Sequence, residues 1–93
     1  MEDKDNSIYI GRKNTMSYVL ACITAVQSGS KEVIIKARGR AITKAVDVAE
    51  ICRNTFMKDQ VTVDKIDIGT QEIQSRDRGT FSVSTIEITL KFK

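Results

Sequence analysis

The sequence predicts an α/β domain with the element order β-α-β-α-β-β and a C-terminal hairpin whose outer half projects as an arm. Three observations carry this. Two apolar segments with helical spacing each follow a short strand-like run. Each of those helical segments opens at a basic turn that contains glycine. Two long strand-like segments joined by the polar turn Gln74-Ser75-Arg76-Asp77-Arg78-Gly79 then complete the chain. With 93 residues, the chain has the length of one domain, residues 1–93, and the polar residues 1–6 read as a flexible tail. A chain of this size buries roughly 60–70% of its unfolded surface, enough for an independent but thin core.

Each element has a local reason. Ser7–Ile10 is a short apolar strand closed by Gly11. Asn14 caps the first helix by accepting from a backbone N–H one turn on, and Gly29 supplies the left-handed stop. Between them Met16, Val19, Leu20, Ile23 and Val26 keep helical spacing, while Tyr18, Ala21, Cys22 and Ala25 make the rest of the cylinder apolar. Such a helix is covered on more than one side, and in so small a protein a second subunit is a reasonable source of that cover. Val33-Ile34-Ile35 reads as a central strand buried on both faces. A second helix runs from about Ala41 to Phe56, with an inner stripe of Ile42, Ala45, Val46, Ala49, Cys52 and Phe56.

The last two strands change phase. Val61 and Val63 hold odd positions but Ile66 and Ile68 even ones, and Phe81 and Val83 are odd while Ile86, Ile88, Leu90 and Phe92 are even. Since side chains alternate faces, each switch implies a bulge or sharp twist. The base of the hairpin then packs on the core and its outer half stands away from it.

Composition excludes several function classes. The absence of histidine removes most zinc sites, the Ser-His-Asp and Cys-His nucleophile arrangements and the usual near-neutral acid/base. The carboxylates are scattered, so neither an enzyme nor a metal or other cofactor is expected. No segment approaches the ~20 apolar residues of a membrane-spanning helix, and the polar start lacks a signal-peptide core. The chain therefore reads as cytoplasmic, with no membrane partner and no small-molecule substrate. Cys22 and Cys52 sit among apolar helical residues and read as reduced, buried thiols.

The net charge is +3 and the isoelectric point about 9.0, which permits an anionic partner without demanding one. The distribution of cations is more informative. In Lys36-Ala37-Arg38-Gly39-Arg40 the first two cations are two residues apart and share a face of an extended chain. Gly39 permits a sharp turn, and Arg40 stands at the start of the next helix. Cations without an interleaved acid at such a place suit phosphate oxygens, although a solvated loop explains them too. Gly11-Arg12-Lys13-Asn14 is a second turn of this kind, bringing two cations and free backbone N–H groups together. In a parallel βαβ unit both turns fall on one edge, where ligands of open α/β sheets commonly bind. Neither matches a P-loop or GxGxxG fingerprint, so a nucleotide cofactor is not expected. Arg76 and Arg78 flank Asp77 at the arm tip, as arginines that enter a nucleic-acid groove or as a solvated turn. Phe56 and Met57 end the second helix, where Phe56 either caps the core or makes an oligomer contact.

Several stretches carry a family likeness. Gly11-Arg12-Lys13-Asn14-Thr15-Met16-Ser17-Tyr18-Val19-Leu20-Ala21 resembles the opening of the Alba family of archaeal chromatin proteins. Lys36-Ala37-Arg38-Gly39-Arg40-Ala41-Ile42-Thr43-Lys44-Ala45-Val46-Asp47 resembles its most diagnostic stretch, and Arg53-Asn54-Thr55-Phe56 and Val83-Ser84-Thr85-Ile86-Glu87-Ile88 match as well. The resemblance implies a two-layer α/β sandwich like the C-terminal domain of a translation initiation factor. It also implies a chromosome-associated homodimer that binds double-stranded DNA, and often RNA, with little sequence preference, and that coats and compacts DNA.

By that resemblance Arg12, Lys13, Lys36, Arg38, Arg40 and Lys44 belong to the nucleic-acid-contacting surface, Arg76 and Arg78 to the minor-groove arms, and Phe56 with Met57 to the contact between dimers. The nearest alternative is a primarily RNA-binding protein of an RNA-processing or RNA-stabilising complex. Three positions depart from the pattern. Many relatives open the first basic turn with a lysine whose acetylation weakens DNA binding. Arg12 stands there in this chain, leaving Lys13 as the acetylatable residue. Asn14 replaces a helix-starting proline of many relatives, and Thr55 an arginine of some.

Overall fold

The computed structural model describes residues 6–56 and 58–93, without the Phe56 side chain. Of the tail expected at residues 1–6, Asn6 is instead tied to the sheet, its carbonyl accepting from the Ile34 N–H at 3.0 Å. Residues 1–5, the role expected of Met57 and that of the Phe56 side chain lie outside the described residues. The elements are β1 (Ser7–Tyr9), α1 (Thr15–Gln27), β2 (Glu32–Arg38), α2 (Ile42–Ile51), β3 (Val61–Ser75) and β4 (Gly79–Phe92). Their order is the one expected. The strands form one sheet in the order β1-β2-β4-β3, with β1 parallel to β2 and the other neighbours antiparallel.

Helix α1 starts and stops where the sequence places its signals. The Asn14 side chain accepts from the Ser17 N–H at 3.0 Å. At the other end Gly29 takes φ 98°, and the N–H groups of Gly29 and Ser30 donate to Val26 and Ala25. Two carbonyls left open by the helix end are thereby satisfied.

Both helices pack against each other and against the sheet, which makes two layers and one core. From the sheet come Val33, Ile35 and Ala37 of β2 and Ile86, Ile88 and Leu90 of β4. These six are cross-strand partners in three pairs, Val33 with Leu90, Ile35 with Ile88 and Ala37 with Ile86. From the helices come Val19 and Cys22 of α1 and Ala45, Val48, Ala49 and Cys52 of the second helical segment.

Two expectations about burial change. Strand β2 is central but alternates between buried and half-buried residues, because a two-layer fold covers only one face of its sheet; Ile34 looks toward the open face. The buried residues of the second helix are Ala45, Val48, Ala49 and Cys52, with Ile42 packed against the core as expected, and Val46 is 41% exposed. These four have the i, i+3, i+4, i+7 spacing of one helix face, which leaves Val46 outside it. The helical run also starts earlier and changes pitch along its length. A 3-10 turn at Gly39–Ala41 precedes α2, and a wider π turn, Cys52–Phe56, follows it.

The phase switches have two different causes. In β3 the register slips between Val63 and Lys65, so Asp64 is the extra residue. Its insertion keeps Val61, Val63, Ile66 and Ile68 all on the helix side of the sheet. In β4 no slip occurs: the pairing runs unbroken from Gly79 to Thr89. The apolar residues there change face, leaving Phe81 and Val83, paired with Ile73 and Gln71, on the side opposite the helices. The buried residues of β4 begin at Ile86, and the hairpin beyond that point is the expected arm.

Cys22 and Cys52 are free and buried. The hydrogen bond between them and their burial push the Cys22 thiol well above its ordinary range. The same hydrogen bond lowers the Cys52 thiol, but both side chains are fully enclosed in the core. Neither cysteine is therefore expected to react quickly with a thiol reagent in the native protein, and both are expected to react once it is denatured. Rapid native labelling would contradict this packing.

Candidate nucleic-acid interface

The first basic turn lies between β1 and α1 and is tied down from both helices. The Tyr18 hydroxyl, buried on α1, accepts from the Gly11 N–H at 2.8 Å and the Lys13 N–H at 3.1 Å. From α2 the Lys44 ammonium donates to the carbonyls of Gly11 at 3.2 Å and Lys13 at 2.7 Å. The backbone groups of Gly11 and Lys13 are thus bonded internally, so these two N–H groups are not among the free ones expected where the turn opens the helix. The side chains of Arg12 and Lys13 remain exposed.

The second basic turn ends β2. Lys36 and Arg38 share the open face of the sheet, as their spacing predicts. The Lys36 ammonium sits 5.5 Å from the centroid of the Tyr9 ring, and an Arg38 guanidinium N–H donates to the Gln71 side-chain carbonyl at 3.2 Å. Gly39 turns the chain with φ 57°, a region that favours glycine, and Arg40 follows, exposed, in the 3-10 turn.

The parallel pairing of β1 and β2 places both turns on one edge of the sheet, as expected. Lys44 links them directly, because the helix that begins after the second turn reaches back to the first. This lysine therefore stands within the expected surface but turns two of its three donors inward. Arg76 and Arg78 lie apart from this edge, exposed in the turn at the arm tip, where the Ser75 hydroxyl accepts from the N–H groups of Asp77 and Arg78 at 3.3 Å. Phe56 falls in the π turn after α2.

Sequence reasoning missed Tyr9, Tyr18 and Gln71. Tyr18 sits among apolar residues and reads as core, while its hydroxyl role depends on a turn seven residues away. Gln71 comes to Arg38 through strand order, which no local pattern reveals. Among the described residues no cluster of three or more His, Cys, Asp or Glu could hold a metal ion, and no helix is long and apolar enough to cross a membrane.

A two-layer α/β sandwich with two basic turns on one sheet edge and a basic-tipped arm is a small domain built around a cationic surface. The chain belongs to the Alba family, whose sequence pattern matches residues 6–70. It is 51% identical over 88 residues to the DNA/RNA-binding protein Alba of Methanocella arvoryzae, covering 95% of this chain and 91% of that one. Alba from Thermoplasma volcanium superposes with a TM-score of 0.86 at 47% identity, over 91% of this chain and 98% of that one. ALBA1 from Trypanosoma brucei gives a TM-score of 0.77 at 28% identity, over 98% and 72%. The likeness read from the two basic motifs is thereby borne out.

Proposed function

We propose that this chain binds double-stranded DNA, and RNA, with little sequence preference, as a chromosome-associated homodimer that coats and compacts DNA. The observation that carries the reading is the pair of basic turns set on one edge by the parallel pairing of β1 and β2, the first of them clasped by Tyr18 and Lys44. Arg12, Lys13, Lys36, Arg38 and Arg40 meet backbone phosphates there. Lys44 fixes the first turn, and Arg76 and Arg78 extend the contact along a groove. Such binding is driven by release of counterions from phosphates and carries little sequence information. The name of the Methanocella relative supports both nucleic acids as targets.

Exposed apolar side chains support self-association. Met16 and Leu20, one turn apart on α1, are 42% and 58% exposed, and Ile66 and Ile68 of β3 are 58% and 82% exposed. The last two lie on the helix side, paired with buried Ile88 and Ile86, but no helix covers them. Apolar surface of this kind marks an interaction site. Phe56 and Met57 serve contacts between dimers on DNA, and Lys13 is the residue of the first turn open to acetylation.

The test joins mass to sequence tolerance. Sedimentation of the free protein is expected to give twice the 10.4 kDa of one chain, and duplexes of unrelated sequence are expected to compete equally at matched salt. A single-chain mass would overturn the dimer, and strong preference for one duplex would overturn sequence-tolerant binding. A structured RNA that outcompetes every duplex would favour the primarily RNA-binding role.

A further inference from the structure

We propose that the open face of the sheet is a second nucleic-acid site, sharing Lys36 and Arg38 with the duplex surface, which takes an unpaired nucleotide with its base stacked on Tyr9. This rests on the nucleic-acid reading above and extends it from duplex backbones to single strands.

The face is defined by the register. Tyr9 pairs with Lys36, Lys36 with Glu87 and Arg38 with Thr85, so all five side chains emerge on the side of the sheet away from the helices. Together with Gln71 they line a concavity of about 540 Å³, within the range of small-ligand sites. Tyr9 is 64% exposed, so its ring contributes little to the core. An exposed aromatic on an open four-stranded sheet is the arrangement on which unpaired bases stack in single-strand readers.

The polar groups divide the site. Lys36 and Arg38 offer two cations to a phosphate. Glu87 repels a phosphate but accepts from a base N–H. Gln71 uses its carbonyl to hold Arg38, leaving its amide N–H groups to donate to a base carbonyl or ring nitrogen. The concavity therefore favours a base on the Tyr9 ring with its phosphate toward the cations. A duplex presents no free base face, and it would use Lys36 and Arg38 without Tyr9.

The simpler role for Tyr9 is to support Lys36, whose ammonium lies against its ring. The two roles separate experimentally. An oligouridylate and an oligothymidylate of about twelve nucleotides, and a duplex of the same length, are titrated against the wild-type protein, Tyr9→Leu and Tyr9→Phe. Tyr9→Leu is expected to weaken both single strands roughly 5- to 150-fold, the range for loss of one base stack, and to leave the duplex unchanged. Tyr9→Phe, which keeps the ring, is expected to bind like the wild type.

Tyrosine emission gives a second readout, because the chain has two tyrosines and no tryptophan and Tyr18 is buried. Single strands are expected to quench Tyr9 emission in the wild type, and the quenching is expected to vanish in Tyr9→Leu. Equal weakening of duplex and single strands by Tyr9→Leu would assign Tyr9 to the support of Lys36 and overturn the inference. Duplex binding without single-strand binding by the wild type would overturn it while leaving the duplex reading intact. Binding of neither would overturn both.

Discussion

Changing Arg38 and Arg40 together to alanine is expected to weaken binding to every duplex alike and to flatten its salt dependence. Each phosphate neutralised adds roughly −0.9 to the slope of log affinity against log salt, so losing two contacts should reduce the steepness by about 1.8. Both side chains are exposed; Arg38 makes its hydrogen bond to Gln71 on the surface, and Arg40 follows Gly39 in a short turn. Neither contributes to the core, and surface substitutions of this kind usually change stability by no more than about 0.5 kcal/mol. Loss of affinity should thus appear in a protein with an unchanged melting temperature. An unchanged slope with the fold intact would remove this turn from the interface.

Tyr18→Phe should show the opposite pattern, with stability and binding falling together. The substitution keeps the buried ring and removes only the hydroxyl, so the N–H groups of Gly11 and Lys13 lose their acceptor. The two donors are only partly buried, so each lost hydrogen bond costs about 0.5–1.5 kcal/mol, and in a domain of this size each kcal/mol lowers the melting temperature by roughly 4–8 °C. The first basic turn would then be held by Lys44 alone, and Arg12 and Lys13 would lose their fixed backbone. Duplex affinity should fall although neither cation has been touched. Thermal melting beside fluorescence anisotropy reads both effects; wild-type values in both would show that the hydroxyl does not organise the turn.

Elements with local signals were legible in the sequence. The Asn14 cap, the Gly29 stop and the two basic motifs each lie within a few residues and need no distant partner to be recognised. The Asp64 bulge was legible as well, because a change of face leaves its mark in the spacing of Val63 and Ile66. Features that depend on which layer covers which were not. Ile34 looks as apolar as its neighbours, yet the two-layer arrangement leaves its side of the sheet open. Val46 fits a helical stripe, but the stripe chosen by packing runs through Val48.

The same distinction holds at the site. The cations were visible, whereas the clasp made by Tyr18 and Lys44 spans distant residues and gives the basic residues of the first turn their fixed place. Tyr9, one residue before the end of a short apolar run, carries no sequence signal for the open face it occupies. That position follows only from the pairing of β1 with β2.

The central claim is that the two basic turns and the arm act as one phosphate-binding surface. Its most direct test is the slope of log affinity against log salt for the wild-type protein on two duplexes of unrelated sequence. If Arg12, Lys13, Lys36, Arg38, Arg40, Arg76 and Arg78 each neutralise one phosphate, the slope approaches about −6 per chain, and it remains several multiples of −0.9 if only the turns engage. The account predicts a steep linear dependence that is the same for both duplexes. A slope near zero, or a steep one on a single preferred sequence, would contradict it.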